Sequence, residues 1–161
     1  MSVRQSKLYL ERFEIPFDDI DAGGVLYHAN YLKYCDRARN AVFTTAGWTW
    51  QKMIDQRCVL AVVHVDAEYR RAARQGPIWL ATRFILESDR FLMAAHAMLP
   101  GELSHGDALA KISQSSLPLE KSKGVHFRAI FKLVPIAVGE FTPASLPADF
   151  VEAVFDGSVP G

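Results

Sequence analysis

The chain has 161 residues, 50% hydrophobic and 22% charged, which suits one domain with a sizeable core and leaves little room for two. Lys+Arg and Asp+Glu each number 18, so the formal net charge is zero, which argues against a general nucleic-acid binder. No apolar run is long enough to span a bilayer, and Met1 to Lys7 lacks the apolar core of a leader peptide, so a cytoplasmic location is the default expectation.

In chain order, Tyr9, Phe13, Ile15 and Phe17 share one parity against Arg12 and Glu14, which predicts a half-buried strand over 7–17. Pro16 marks an edge position or the strand end. An acidic Gly-Gly turn follows. Tyr31, Tyr34, Cys35, Ala38, Ala41, Val42 and Ala46 recur at helical spacing and predict a helix over 30–46, with Gly47 as its stop signal. A short helix over 51–55 comes next. The cleanest strand has Val59, Ala61, Val63, Val65, Ala67 and Tyr69 on one face. Leu60, Val62, His64, Asp66, Glu68 and Arg70 occupy the other. Residues 70–77 turn the chain, 78–87 and 91–99 read as strands joined by Ser88-Asp89-Arg90, and Pro100-Gly101-Glu102 turns again. A fifth strand is expected over 107–119, weakened by Ser113, Ser115 and Ser116. Residues 121–124 read as a loop, 125–136 as strand or helix with a partly helical reading preferred, 143–147 as a linker and 147–155 as a short amphipathic helix. The sum is an α+β architecture in which one long helix is wrapped by a curved antiparallel sheet. The expected organisation is a domain over 1–120 with an extension over 121–161 packed on it. Open sheet edge in so small a unit favours a homodimer.

The junction before the long helix carries the chemistry. It reads Asp19-x-Asp21-Ala22-Gly23-Gly24-Val25-x-Tyr27-His28-Ala29-Asn30-Tyr31, followed by Asp36-Arg37-Ala38-Arg39. This pattern resembles the hot-dog acyl-CoA thioesterases, within them the 4-hydroxybenzoyl-CoA thioesterase group, and is most similar to the branch encoded beside the Tol–Pal cell-envelope system. The likeness covers roughly residues 8–119; the stretch over 120–141 is longer than the family pattern. The resemblance implies a double hot-dog dimer, often paired into tetramers, that hydrolyses acyl-CoA at a site shared between subunits; a thioester on acyl carrier protein is a close variant of that substrate. It also implies that Asp21 is the catalytic carboxylate and that the backbone N–H of His28 is the oxyanion donor. No cofactor is implied.

The residue types suit that chemistry. A helix N-terminus offers oriented N–H donors and partial positive charge to a tetrahedral oxyanion. Gly23 and Gly24 let a thioester carbonyl approach the backbone. Asp21 can attack the carbonyl or position a water, and as an ordinary acid it is a weak base; its bland alternative is a turn carboxylate. Asp18 and Asp19 read as turn or solvent-facing acids, with Asp19 able to position the loop. The His28 imidazole can assist a proton transfer or simply pack. Tyr27 and Asn30 can line the acyl pocket or orient the loop, and Asn30 equally fits an ordinary N-cap. His64, Asp66 and Glu68 alternate on one strand face. That suggests a catalytic or metal trio, but a solvated or subunit-facing surface is preferred. Arg70, Arg71, Arg74 and Arg90 suit the phosphates of CoA as well as they suit ordinary surface charge, and Arg90 sits where the family places basic CoA contacts. Cys35 and Cys58 lie outside any CxxC or His/Cys cluster and read as reduced thiols, with no metal expected. Two other readings compete: a hydratase or dehydratase of enoyl or 3-hydroxyacyl thioesters built on His64, and a non-catalytic acyl-binding or scaffold protein.

Overall fold

The computed structural model describes residues 3–113 and 124–157. In chain order the elements are β1 (Arg4–Gln5), β2 (Tyr9–Ile15), α1 (Asn30–Thr45), α2 (Trp50–Asp55), β3 (Cys58–Tyr69), β4 (Gly76–Ser88), β5 (Phe91–Pro100), α3 (His105–Ser113), β6 (Phe127–Ala137) and α4 (Ala148–Asp156). The strands form one antiparallel sheet in the order β1-β4-β5-β6-β3, with β2 beside β4 on the same edge as β1.

The helical stripe read from the sequence is the face that α1 buries. Tyr31, Tyr34, Cys35, Ala38 and Val42 pack against Phe84, Leu92, Ala94, Met98, Phe127 and Phe131 of the sheet. At the other end of this core, Phe150 of α4 meets Phe43 and Trp48 edge-on. One polar pair interrupts the layer. His96 is completely buried, and its Nδ1 lies 2.9 Å from the Thr82 hydroxyl. Burial, with the nearby Arg39 charge adding to it, pushes its pKa down to about 3. The long helix on an antiparallel sheet is the expected α+β hot-dog fold.

Three expectations are corrected. The first is the fifth strand over 107–119: His105–Ser113 is helical, and 114–119 lie outside the described residues. Ala108 and Ile112, one turn apart, are the buried residues of α3 and cover the sheet face opposite α1 beside Trp79, Ala81, Ala95, Ala97 and Leu99. Ser104 starts the helix, its hydroxyl accepting from the Asp107 N–H at 3.1 Å. The fifth long strand is instead β6, in the stretch expected to be partly helical. Phe127, Ala129, Phe131, Leu133 and Pro135 are buried at every second position. Pro135 falls where β6 has left β5, whose pairing ends at Leu133; on that side, among the described residues, only an isolated bridge from Ile136 to Pro143 follows, in which Pro135 O accepts from the Ala144 N–H at 3.0 Å. The second correction concerns the boundary at residue 120. β6 lies between β5 and β3, so residues past that point supply an interior strand, not an appendage. The third concerns β3. A bulge between Val62 and His64 switches its parity, so Leu60 and Val65 both face the α1 layer.

Candidate active site

β2 ends at fully buried Ile15, and Pro16 stops it. Phe17–Asp19 make one 3-10 turn. A bridge between Ile20 and Leu26 then closes a tight loop across Asp21 to Val25. Within it the Asp21 N–H donates to Val25 O at 2.9 Å, and the Gly24 N–H donates to Asp21 O at 2.9 Å. The Asp21 carboxylate folds over this loop. Its Oδ1 accepts from the Gly23 N–H at 2.8 Å and the Val25 N–H at 3.4 Å. Its Oδ2 has no hydrogen-bond partner among the described residues. Asp21 is solvent-exposed in the single chain. Gly24 has φ +76°, a conformation that favours glycine, and a Cβ at position 23 would stand 3.1 Å from Asp21 Oδ1 and press on the carboxylate.

Asp19 behaves differently from its neighbours. It is 8% exposed, which corrects the solvent-facing expectation. Lys33 Nζ donates to its Oδ1 and Tyr34 Oη to its Oδ2, each at 2.6 Å. Its carbonyl accepts from the Tyr27 N–H at 3.0 Å and from Asn30 Nδ2 at 3.2 Å. One residue thereby ties the loop to the first turns of α1. The Lys33 and Tyr34 hydrogen bonds hold its carboxyl below the usual range, outweighing the opposite effect of burial. The burial of Tyr34, aided by the Asp19 charge, raises the phenol. Sequence reading missed this hub because the partners stand 14 and 15 residues away, and Tyr34 was legible only as core.

α1 starts without a side-chain cap, its N-cap residue being Ala29. Asn30 is therefore not the N-cap; it is the first helical residue and orients the Asp19 carbonyl. The His28 N–H has no acceptor among the described residues, whereas its carbonyl accepts from Tyr69 Oη at 2.9 Å. The Tyr27 and His28 rings lie 4.5 Å apart, both exposed. The loop between β3 and β4 braces the turn from behind. Ala73 O accepts the Leu26 N–H at 2.8 Å, the Ala73 N–H donates to Tyr31 Oη at 3.1 Å, and Arg74 Nη1 lies 3.4 Å from Gly24 O.

Asp21, Gly23, Gly24, Tyr27, His28 and Asn30 thus share one connection. Arg90 does not join them within the chain. It sits in the turn beyond Ser88, whereas the loop follows Ile15, which pairs with Gly76 at the other end of β4. The 13 residues of β4 separate the two by roughly 40 Å along the strand. His64 and Asp66 are exposed on β3. Glu68 is held by Arg70 at 3.0 Å and Arg128 at 2.6 Å, and these hydrogen bonds lower its pKa.

The chain matches the thioesterase-like superfamily over residues 15–154. It is 56% identical over 32 residues to the acyl-CoA thioesterase YbgC of Helicobacter pylori (strain ATCC 700392 / 26695), covering 20% of this chain and 24% of that protein. Against the acyl-CoA thioesterase YbgC of Haemophilus influenzae it is 40% identical over 59 residues, 36% of this chain and 43% of the other. The matched segments therefore span less than half the length of either relative. In fold it is similar to Slr0204, a 1,4-dihydroxy-2-naphthoyl-CoA thioesterase from Synechocystis, with a TM-score of 0.73 at 19% identity over 92% of this chain and 96% of that one.

Proposed function

Because the chain belongs to the thioesterase-like superfamily, we propose that it hydrolyses an acyl-CoA thioester to free acid and CoA at the loop joining β2 to α1. The observation that carries the reading is the Asp21 carboxylate, with Oδ2 unengaged, on a two-glycine turn beside a helix start whose His28 N–H has no partner among the described residues. The thioester carbonyl approaches over Gly23 and Gly24, and its oxygen takes the His28 N–H. Asp21 either removes a proton from an attacking water or adds to the carbonyl itself. On the first route a tetrahedral oxyanion collapses, the C–S bond breaks, and the CoA thiolate leaves and takes a proton. On the second the thiolate leaves behind a mixed anhydride, which water then hydrolyses back to the carboxylate. Tyr27 lines the acyl side, and a thioester on acyl carrier protein is a close variant of the same substrate.

The exposure of Asp21 supports a site completed by a second subunit. Among the described residues β3 has no strand on its outer side, and it exposes Val62, Val63 and Tyr69 to 44%, 55% and 50%. A homodimer paired through this edge, alone or doubled into a tetramer, covers them. Two buried free thiols, Cys35 and Cys58, suit a reducing cytoplasm. Among the described residues no helix is long and apolar enough to cross a membrane.

The test is thiol release from a panel of short-chain, long-chain and aromatic acyl-CoAs. Asp21→Asn lowers kcat/KM by at least about 100-fold on the best substrate. A variant as fast as wild type ends the assignment of Asp21.

A further inference from the structure

The β3–β4 loop does more than brace the glycine turn. Behind it lies a cleft of about 450 Å³ lined by Arg71, Ala72, Arg74, Gln75, Pro77, Ile78, Gly101, Glu102 and His126. Its near wall touches the reacting loop, since Arg74 Nη1 lies 3.4 Å from Gly24 O. We infer that Arg71 and Arg74 make this cleft a phosphate-binding subsite that grips the carrier end of the thioester. The inference rests on the thioesterase reading above.

Charge and geometry support it. Of the arginines around this loop, Arg70 and Arg128 are both committed to Glu68. Arg71 and Arg74 form no ion pair with an acid among the described residues, and both are exposed. Against their two positive charges the cleft sets one acid, Glu102, so its lining keeps an excess of positive charge. Arg74 uses one of five guanidinium N–H donors on a neutral carbonyl, which leaves the fork available to an anion. The backbone holds Arg71 in place. His126 O accepts both the Arg70 N–H at 2.9 Å and the Arg71 N–H at 3.0 Å, while His126 Nδ1 lies 3.3 Å from Arg71 O. With Nδ1 facing a carbonyl, the His126 ring serves as a wall and not as a donor into the cleft. An acyl chain needs apolar walls, and only Ala72, Pro77 and Ile78 supply them here. A phosphate needs arginine forks, and the cleft supplies two. Arg90, at the far end of β4, cannot serve a thioester at Asp21 of the same chain.

The experiment presents one acyl group, the one wild type turns over fastest on CoA, on three carriers: CoA, 4′-phosphopantetheine and pantetheine. Wild type shows a KM at least about tenfold lower on CoA than on pantetheine. Arg71→Gln brings that ratio to within about threefold, and Arg71→Lys keeps part of it. 4′-Phosphopantetheine behaving like CoA assigns the subsite to the phosphate nearest the pantetheine arm; behaving like pantetheine, it assigns the subsite to the nucleotide phosphates. An Arg71→Gln enzyme with the wild-type ratio overturns the subsite and leaves hydrolysis standing. If no thioester is turned over, the hydrolase reading falls. The subsite is then judged by calorimetry of desulfo-CoA against desulfo-pantetheine on wild type and Arg71→Gln. A preference for desulfo-CoA that Arg71→Gln removes supports it, and no such preference, or one left intact, overturns it.

Discussion

Asp19 and Asp21 stand two residues apart in the same loop and occupy opposite environments. Asp21 is exposed and its carboxylate accepts, among the described residues, only from backbone N–H groups of its own turn, whereas the Asp19 carboxylate is buried and shared between a lysine and a tyrosine. Removing the Asp19 charge leaves Lys33 and the buried Tyr34 hydroxyl without it. Asp19→Ala is expected to cost about 2–3 kcal/mol in denaturant unfolding, and Asp19→Asn, which keeps the shape, less. Because the Asp19 carboxylate ties the loop to Lys33 and Tyr34 of α1, the same variants are expected to slow the proposed thioester cleavage without touching substrate. His96 sets a second, pH-linked expectation. Its folded pKa of about 3 lies below the ordinary 6.5, so between these values the unfolded chain binds the proton and the folded chain does not. The contribution is complete above about pH 6.5 and is lost as pH falls toward 3. Its limiting slope is about 1.4 kcal/mol per pH unit. His126, whose pKa is lowered chiefly by burial, adds with the same sign. In melts between pH 4 and 7, His96→Gln is expected to flatten the acid-side fall in Tm; an unchanged slope places the titration elsewhere.

At the level of elements, the readable parts were those whose period had one interpretation. The α1 stripe at spacings of three and four, and the β4–β5 hairpin around Ser88-Asp89-Arg90, were plain because each pattern fits one secondary structure. The loop from Asp19 to Tyr31 was legible as a candidate site because residue type and order carried it, although nothing local showed that Asp19 turns inward. Two elements misled. In α3 only Ala108 and Ile112 are buried, too few to establish a helical stripe in the sequence. In β6 the alternation is strict, but Pro135 and a succession of large side chains obscured it, and the release of Pro135 depends on where β5 ends. The bulge in β3 leaves no residue signature at all. Since α3 covers the outer sheet face through two residues, Ile112→Ala is expected to cost about 2–4 kcal/mol in chemical denaturation. A loss under 0.5 kcal/mol would mean that this helix is only loosely seated.

For the molecule as a whole, the two faces of the sheet are spoken for, one by α1 and the other by α3, and what stays open is an edge. Val63→Glu, which puts a charge on the exposed outer side of β3, is expected to shift sedimentation toward the monomer and lower kcat/KM together if the second subunit completes the site. Activity that survives in a monomer would place the whole acyl pocket within one chain. The position of β6 has a consequence for how the protein is made. The ribosome releases β3, β4 and β5 before the strand that must slot between two of them. Until residue 137 has emerged, the nascent chain carries β3 with no partner among the described strands and β5 with one side bare, and α4 is still to come. Folding of this sheet is therefore deferred until β6 is out, over an interval when two raw edges invite pairing with other chains, and holdase binding during that interval is the protection this order of strands calls for.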